Sequence, residues 1–175
     1  MKILLIELNR IAPDVLLEDE SLTTIRSLME VGCFGRLAVE GSSIKPSTAI
    51  RNQVGGDPIL IETDPELSGV EDPQRLDEEV GKHLENLSED ALVAIVAAPG
   101  DQPEAFILAA PHLPPFGAIE GVKPADLTAT LLELAGLPPL PGSEGRNILV
   151  DRLSAESDED DELVRERLRG LGYIG

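Results

Sequence analysis

Hydroxyl and carboxyl side chains near the ends of apolar segments are the residues best suited to chemistry in this sequence. Ser47 and Thr48 follow Pro46, where a hydroxyl can serve as a nucleophile or can cap the first turn of a helix. Glu7 lies next to the end of one apolar run, and Asp64 follows another. The residues alone favour a structural role for Glu7, at a strand end or as a cap. Catalysis and capping therefore both stay open for these residues.

A neighbouring arginine and glycine pair offer a different chemistry. Arg51 precedes Gly55 and Gly56 in the segment 41–57 (GSSIKPSTAIRNQVGGD). A guanidinium group and the backbone N–H groups of a glycine-rich loop are both good anion ligands. This segment is therefore also a candidate site for a small anion or a nucleotide, bound without a metal.

The elements that must position these residues alternate between strands and helices. Five runs of apolar residues predict strands at residues 2–8, 34–40, 58–63, 91–98 and 105–110. Helical periodicity predicts a helix from Ser21 to Gly32, and another from Asp72 or Asp77 to about Leu87. The alternation predicts an α/β fold with a mostly parallel sheet of about five strands and helices on both faces.

The segment 121–149 contains the clearest helix. Pro124 suits the first helical position, because its missing N–H would have no partner there. Leu127, Leu131 and Leu134 recur at helical spacing, and Gly136 suits the left-handed residue that ends a helix.

Composition limits the classes of function. The chain has 175 residues, which suits one domain, and a formal net charge of −19. Such a charge repels nucleic acids and anionic membranes, and it favours solubility, a basic protein partner, or a salty or hot habitat. No apolar run approaches the roughly 18 residues of a membrane span. Residues 1–8 do not read as a signal peptide, and the single cysteine, Cys33, fits a reducing compartment, so the cytoplasm is expected.

Two segments carry a resemblance to a known family. Residues 121–149 (GVKPADLTATLLELAGLPPLPGSEGRNIL), with Asp126 before Thr130-Leu131-Leu132, resemble the C-terminal signature of the alkaline phosphatase superfamily. The branch they resemble is that of the type I phosphodiesterase/nucleotide pyrophosphatase and sulfatase-like enzymes. Residues 163–175 (LVRERLRGLGYIG) are similar to the ending of many such chains. The two segments make up about a quarter of the sequence, and they imply a minimal alkaline phosphatase-like core.

The resemblance also assigns roles to candidate site residues. Pro46-Ser47-Thr48-Ala49 resembles the family's nucleophile loop, which implies Thr48 as the nucleophile and Ser47 as the second choice. Glu7 and Asp64 stand where the family places metal-binding acids, and zinc or manganese is the metal expected if the domain is an enzyme.

Several positions depart from the family's pattern. The strand at 91–98 ends in Ala97-Ala98, followed by Pro99 and Gly100, where the family has Ser-Asp-His-Gly with two metal ligands. Ser68 stands where a ligand histidine is expected, and residues 99–104 contain no histidine. Alanine cannot bind a metal, so the sequence predicts a domain that has lost catalysis and needs no cofactor.

The predicted function is that of a binding or assembly subunit, with a protein partner or a second copy of the chain. The competing interpretation is a phosphoric ester hydrolase with a rebuilt site, made from Glu7, Asn9, Thr48, Asp57 and Asp64. The predicted organisation is an α/β domain at residues 1–153, an acidic linker at 154–162 and a C-terminal helix at 163–175. Leucine and valine side chains of that helix could dock on the domain or on a partner.

Overall fold

The apolar runs form a six-stranded sheet in a computed structural model that describes residues 3–38, 45–54, 61–63, 65–88, 91–100, 103–110 and 113–150. The strands are β1 Ile3–Leu8, β2 Cys33–Arg36, β3 Ile61–Thr63, β4 Leu92–Ala97, β5 Ala105–Ala109 and β6 Gly117–Ala118. Their order across the sheet is β3-β1-β4-β5-β2-β6. An α/β fold is thus confirmed.

The sheet is mixed, and the expectation of a mostly parallel sheet is wrong. β1 pairs in parallel with β3 and β4, and β2 with β6, but β5 is antiparallel to both β4 and β2. The reason lies in the connection between β4 and β5, which comprises residues 98–104 only. A parallel neighbour needs a crossover of a dozen or more residues, whereas a short loop returns the chain antiparallel.

Helices cover both faces of the sheet, as expected. The helices are α1 Pro13–Glu18, α2 Thr23–Val31, α3 Pro46–Val54, α4 Pro65–Ser68, α5 Pro73–Glu85 and α6 Pro124–Leu134. One apolar layer joins α1, α2, α4 and α5 to the sheet, and a second layer joins α3 and α6 to the opposite face. α1, α4 and β6 were not expected from the sequence.

The central strands β1 and β4 are buried along their whole length. This explains their continuous apolar runs, since both of their faces are covered by helices. Glu7 interrupts the apolar pattern on β1, and this acidic residue is only 8% exposed. Buried charges require hydrogen-bonding partners, so the surroundings of Glu7 decide what it does.

The start of α2 differs from the prediction. Leu22, not Ser21, occupies the N-cap position, and the Ser21 hydroxyl donates instead to Asp19 Oδ1 at 2.7 Å. The first N–H groups of α2 find their acceptor in Asp77 of α5, at 3.0 Å from Thr24 N. A distant carboxylate therefore replaces the expected local cap.

The segment 121–149 is held together by Asp126 and Thr130. Asp126 Oδ2 accepts from Lys123 N and Asp126 Oδ1 from Arg146 N, each at 3.0 Å. Thr130 Oγ1 accepts from Ile148 N at 3.0 Å. α6 begins at Pro124 and is followed by Gly136 at φ +72°, as predicted. The buried Asp126 and Thr130 therefore fasten the returning chain onto α6.

No helix in the described part of the chain is both long enough and apolar enough to cross a membrane. The predicted linker and C-terminal helix, at 154–162 and 163–175, lie outside the described residues.

Candidate functional site

Glu7 lies near the carboxyl end of β1, where the sheet meets the start of α3. Ile3 and Leu5, which alternate with it along the strand, belong to the apolar layer that contains α3 and α6. Side chains two residues apart on a strand share a face. Glu7 is therefore directed toward the side of the sheet on which α3 packs.

The carboxylate of Glu7 binds the first turn of α3. Glu7 Oε1 accepts from Ser47 N at 2.8 Å, and Glu7 Oε2 accepts from Ser47 Oγ at 2.6 Å. The first N–H groups of a helix have no partner within the helix, and the helix dipole favours a negative charge there. Both oxygens of Glu7 thus stabilise the N-terminus of α3.

A second contact joins the same two elements. Lys45, the residue before α3, donates from Nζ to Asn9 Oδ1 at 2.6 Å. The Asn9 N–H in turn donates to the Ser68 carbonyl at 3.2 Å. The end of β1 is consequently bound to the start of α3 on one side and to α4 on the other. Sequence reasoning did not single out Lys45, although a lysine directly before a predicted first turn was a visible signal.

The structure brings Ser47, rather than Thr48, to Glu7. Thr48 is exposed, and its N–H donates to the Lys45 carbonyl at 3.0 Å. Of the two candidate nucleophiles, the second choice of the sequence prediction is therefore the one that contacts a candidate metal ligand.

Other predicted site residues fall outside the described part. These are Gly55, Gly56, Asp57 and Asp64, together with the side chain of Arg51. Their assignment to a metal site or to an anion site stays a prediction.

The end of β4 places apolar groups beside Glu7. Val96 is paired with Glu7 and Ala97 with Leu8 in the parallel ladder, and the Ala98 N–H donates to the Leu8 carbonyl at 2.8 Å. Ala97 and Ala98 are fully buried. This edge of the sheet therefore has methyl groups where the family resemblance calls for a carboxylate and an imidazole.

The described residues do not fit a zinc or manganese site. No three of their His, Cys, Asp or Glu side chains lie close enough together to hold a metal ion. Both Glu7 oxygens already accept hydrogen bonds from Ser47, so a metal there would have to displace that contact.

A cleft of about 730 Å³ lies between α3 and the start of α6. Ala49 of α3 lines one side, and Lys123, Asp126, Glu144 and Arg146 contribute charged side chains of both signs. Asp126 accepts from the two backbone N–H groups described above, so it is committed to holding α6. The cleft is large enough for a small ligand, and its mixed charge does not select one sign.

Hydrogen bonds from the Ser21 hydroxyl and the Ser21 N–H lower the pKa of the Asp19 carboxyl group. Asp19 lies on the surface before α2, and its carboxylate accepts a hydrogen bond from the Ser21 N–H in the turn there.

Comparison with known proteins does not assign the chain to a family. No family model matches the chain, and no curated protein matches it. The likeness to the alkaline phosphatase superfamily therefore stays a prediction from the two sequence segments that carry it.

Proposed function

We propose that the protein is a non-catalytic, alkaline phosphatase-like domain that acts as a binding or assembly subunit. The observation that carries this proposal is the use of Glu7 as a buried cap for α3, with both oxygens bound to Ser47. The residue that the family resemblance would make a metal ligand has a structural role that accounts for its burial and its charge.

The neighbouring strand supports the same proposal. Phosphoester hydrolysis by two metals requires both ions to be held about 4 Å apart by several side chains. Ala97 and Ala98 supply none, and they lie beside β1 at the point where ligands from the two strands would meet.

The charge of the chain indicates the chemistry of a partner. Residues 1–162 contain 32 acidic residues and 11 lysines and arginines. The ion pairs of the described part, such as Lys82 with Glu79 and Arg36 with Asp14 and Glu18, engage few of these carboxylates. A protein surface rich in lysine and arginine would be attracted to this surface, whereas nucleic acids and anionic membranes would be repelled.

Metal content and hydrolysis test the non-catalytic part. The protein would be purified without chelator from cells supplied with zinc and manganese, and metal per chain measured by plasma mass spectrometry. We expect well under one equivalent of metal per chain. We also expect the wild-type protein to hydrolyse bis(p-nitrophenyl) phosphate no faster than the Glu7→Gln and Ser47→Ala variants do. One or two equivalents of metal, with hydrolysis that either substitution removes, would overturn the proposal.

Association with a basic protein tests the binding part. A partner retained by the immobilised chain would be purified and titrated calorimetrically at several salt concentrations. We expect affinity to fall by at least about tenfold between 0.05 and 0.5 M NaCl, because salt screens exposed charges. Affinity that is independent of salt, or a partner with an acidic surface, would contradict the role given to the acidic surface.

One contact favours a second candidate function, a phosphoric ester hydrolase. Ser47 Oγ lies 2.6 Å from Glu7 Oε2, a distance at which a carboxylate can take the proton of a serine nucleophile. In that case Ser47→Ala would abolish hydrolysis and Thr48→Ala would not. Hydrolysis that Ser47→Ala abolishes and Thr48→Ala retains would therefore favour the hydrolase, whereas background hydrolysis in the wild type and in both variants would favour the non-catalytic domain.

A further inference from the structure

An apolar groove lies at the opposite edge of the sheet from Glu7. It runs between the C-terminal ends of α2 and α5, beside the start of β4 and the end of β5, and has a volume of about 580 Å³. Apolar side chains form most of its lining: Leu28, Val31, Leu84, Leu87, Val93 and Leu113.

Val31 makes this groove an exposed apolar surface. It is the last residue of α2, and 55% of it is accessible to solvent. Among the described residues, Val31 and Val150 are the two exposed large hydrophobic residues. Val31 adjoins the other apolar residues of the groove, and a contiguous apolar surface on a highly charged protein is a candidate docking site.

The chain itself contains a segment of complementary character. Residues 163–175 (LVRERLRGLGYIG) carry six large apolar side chains together with three arginines and one glutamate. This segment is therefore net positive, whereas the rest of the chain has 32 acids against 11 bases. Glu30 lines the groove, so an acidic group borders the apolar surface.

The connection is long enough for the segment to reach the groove. Val150 is the last described residue, and residues 151–162 separate it from Leu163. Twelve residues span up to about 40 Å when extended, which is about the diameter of a domain of 150 residues. The spacer is rich in acidic residues, and like charges favour its extension.

We propose that residues 163–175 occupy the groove of the same chain, with their leucines against Val31 and Leu84 and their arginines toward Glu30. A tethered segment binds at high effective concentration, so a groove of modest size suffices to hold it. This inference does not rest on the proposed function, since it concerns the opposite edge of the sheet.

Disulfide trapping in the full-length chain tests the location. Ser88→Cys places a thiol in the exposed lining of the groove, and Gly172→Cys places one in the segment. The matched control pairs Gly172→Cys with Ala125→Cys, an exposed position in the cleft at the other edge. Cys33 is buried and does not compete.

We expect the disulfide between positions 88 and 172 to form within one chain at least about tenfold faster than that between 125 and 172. Equal rates would overturn the proposal. Disulfide-linked dimers as the main product would overturn it in favour of a second copy as the occupant.

Tyrosine fluorescence gives an independent test in the unmodified chain. Tyr173 is the single tyrosine, and there is no tryptophan. We expect acrylamide to quench Tyr173 about twofold less in the folded protein than in urea, because docking shields the ring. Val31→Lys should remove that protection, whereas Val150→Lys, which makes the same change at the other exposed valine, should leave it. Quenching equal to that in urea, or equal in both variants, would overturn the proposal.

Discussion

Two helices in this protein begin on a carboxylate supplied by a distant element. Asp77 of α5 accepts at the start of α2 from Ile25 N at 2.8 Å, from Thr24 N at 3.0 Å and from Thr23 Oγ1 at 3.3 Å. Glu7 of β1 accepts at the start of α3 from the N–H and the hydroxyl of Ser47. Glu7 and Asp77 are both residues that are more than nine-tenths buried.

The N-termini of α2 and α3 differ in whether a sequence motif suggests a catalytic role. The start of α3 coincides with a segment that resembles a nucleophile loop, whereas nothing about Asp77 points to catalysis. The physical arrangement is nevertheless the same, since a buried carboxylate satisfies N–H groups that a helix leaves unpaired. Helix capping therefore accounts for a buried acid beside a serine at a helix start, and the contact between Glu7 and Ser47 is not by itself evidence of catalysis.

The largest effect is expected at α2. Asp77→Ala removes the acceptor of three hydrogen bonds and should lower the free energy of unfolding by roughly 2–4 kcal/mol, because buried donors lose a charged partner. Urea unfolding followed by circular dichroism measures it. Asp72→Ala, which removes one exposed bond to Gln74 N, is the control and should cost about 1 kcal/mol. Equal losses for both would contradict the importance given to burial.

Glu7→Ala should have the next largest effect. It removes two acceptors from Ser47 and should cost roughly 1–3 kcal/mol in the same measurement. Glu7→Gln keeps one acceptor oxygen and should cost about half as much. Exposed Glu133→Ala is the control. If Glu7→Ala were as stable as the wild type, Glu7 would not stabilise α3 in the way that Asp77 stabilises α2. A functional role for the buried acid would then have to be considered again.

A double-mutant cycle tests which hydroxyl is coupled to Glu7. Ser47→Ala combined with Glu7→Ala should give a coupling energy of about 1 kcal/mol, because the two side chains share a bond. Thr48→Ala with Glu7→Ala should give less than about 0.5 kcal/mol. Coupling through Thr48 instead would restore the first-choice nucleophile of the sequence prediction.

The smallest effect is expected at the exposed carboxylate before α2. The Ser21 hydroxyl, with the Ser21 N–H, lowers the pKa of Asp19 below its ordinary value of 3.8. Because the folded pKa is the lower one, the associated stability is present above pH 3.8 and is lost as the pH falls through the folded pKa.

Ser21→Ala should therefore raise the pKa of Asp19 toward 3.8, as followed by the NMR shift of its carboxyl carbon. Ser27→Ala, which affects an exposed serine bonded to the Thr23 carbonyl, is the control and should leave that pKa unchanged. An unchanged pKa in Ser21→Ala would contradict the role of the hydroxyl.

The predictability of the fold varied from element to element. The run ALVAIVAA at 91–98 and the helix that starts at Pro124 were predicted to within about two residues, because each pattern is local and uninterrupted. The expectation of a mostly parallel sheet was wrong because β5 is antiparallel to its neighbours, although the shortness of the β4–β5 connection contained the answer. α1 and β6 are short, and too few residues form a recognisable period.

The candidate site was predicted less completely than the fold. The sequence indicated Glu7 and Ser47 separately, and it offered capping as an alternative to catalysis for both. The family resemblance favoured Thr48 as the nucleophile, but Thr48 is exposed in the structure. A motif does not determine which of two adjacent hydroxyl groups faces a buried partner. Neighbours on a helix point about 100° apart, so one residue decides between contact and exposure.

By itself, the sequence determined the features that depend on adjacent residues. These include the buried strands with their continuous apolar runs, and the start of α6 at Pro124 and its end before Gly136. Tertiary structure decided the contacts between distant residues, such as Ile25 with Asp77, 52 positions apart, and Glu7 with Ser47, 40 positions apart. The reason is physical: those hydrogen bonds exist only where the packing of strands and helices brings a buried acceptor to a helix start.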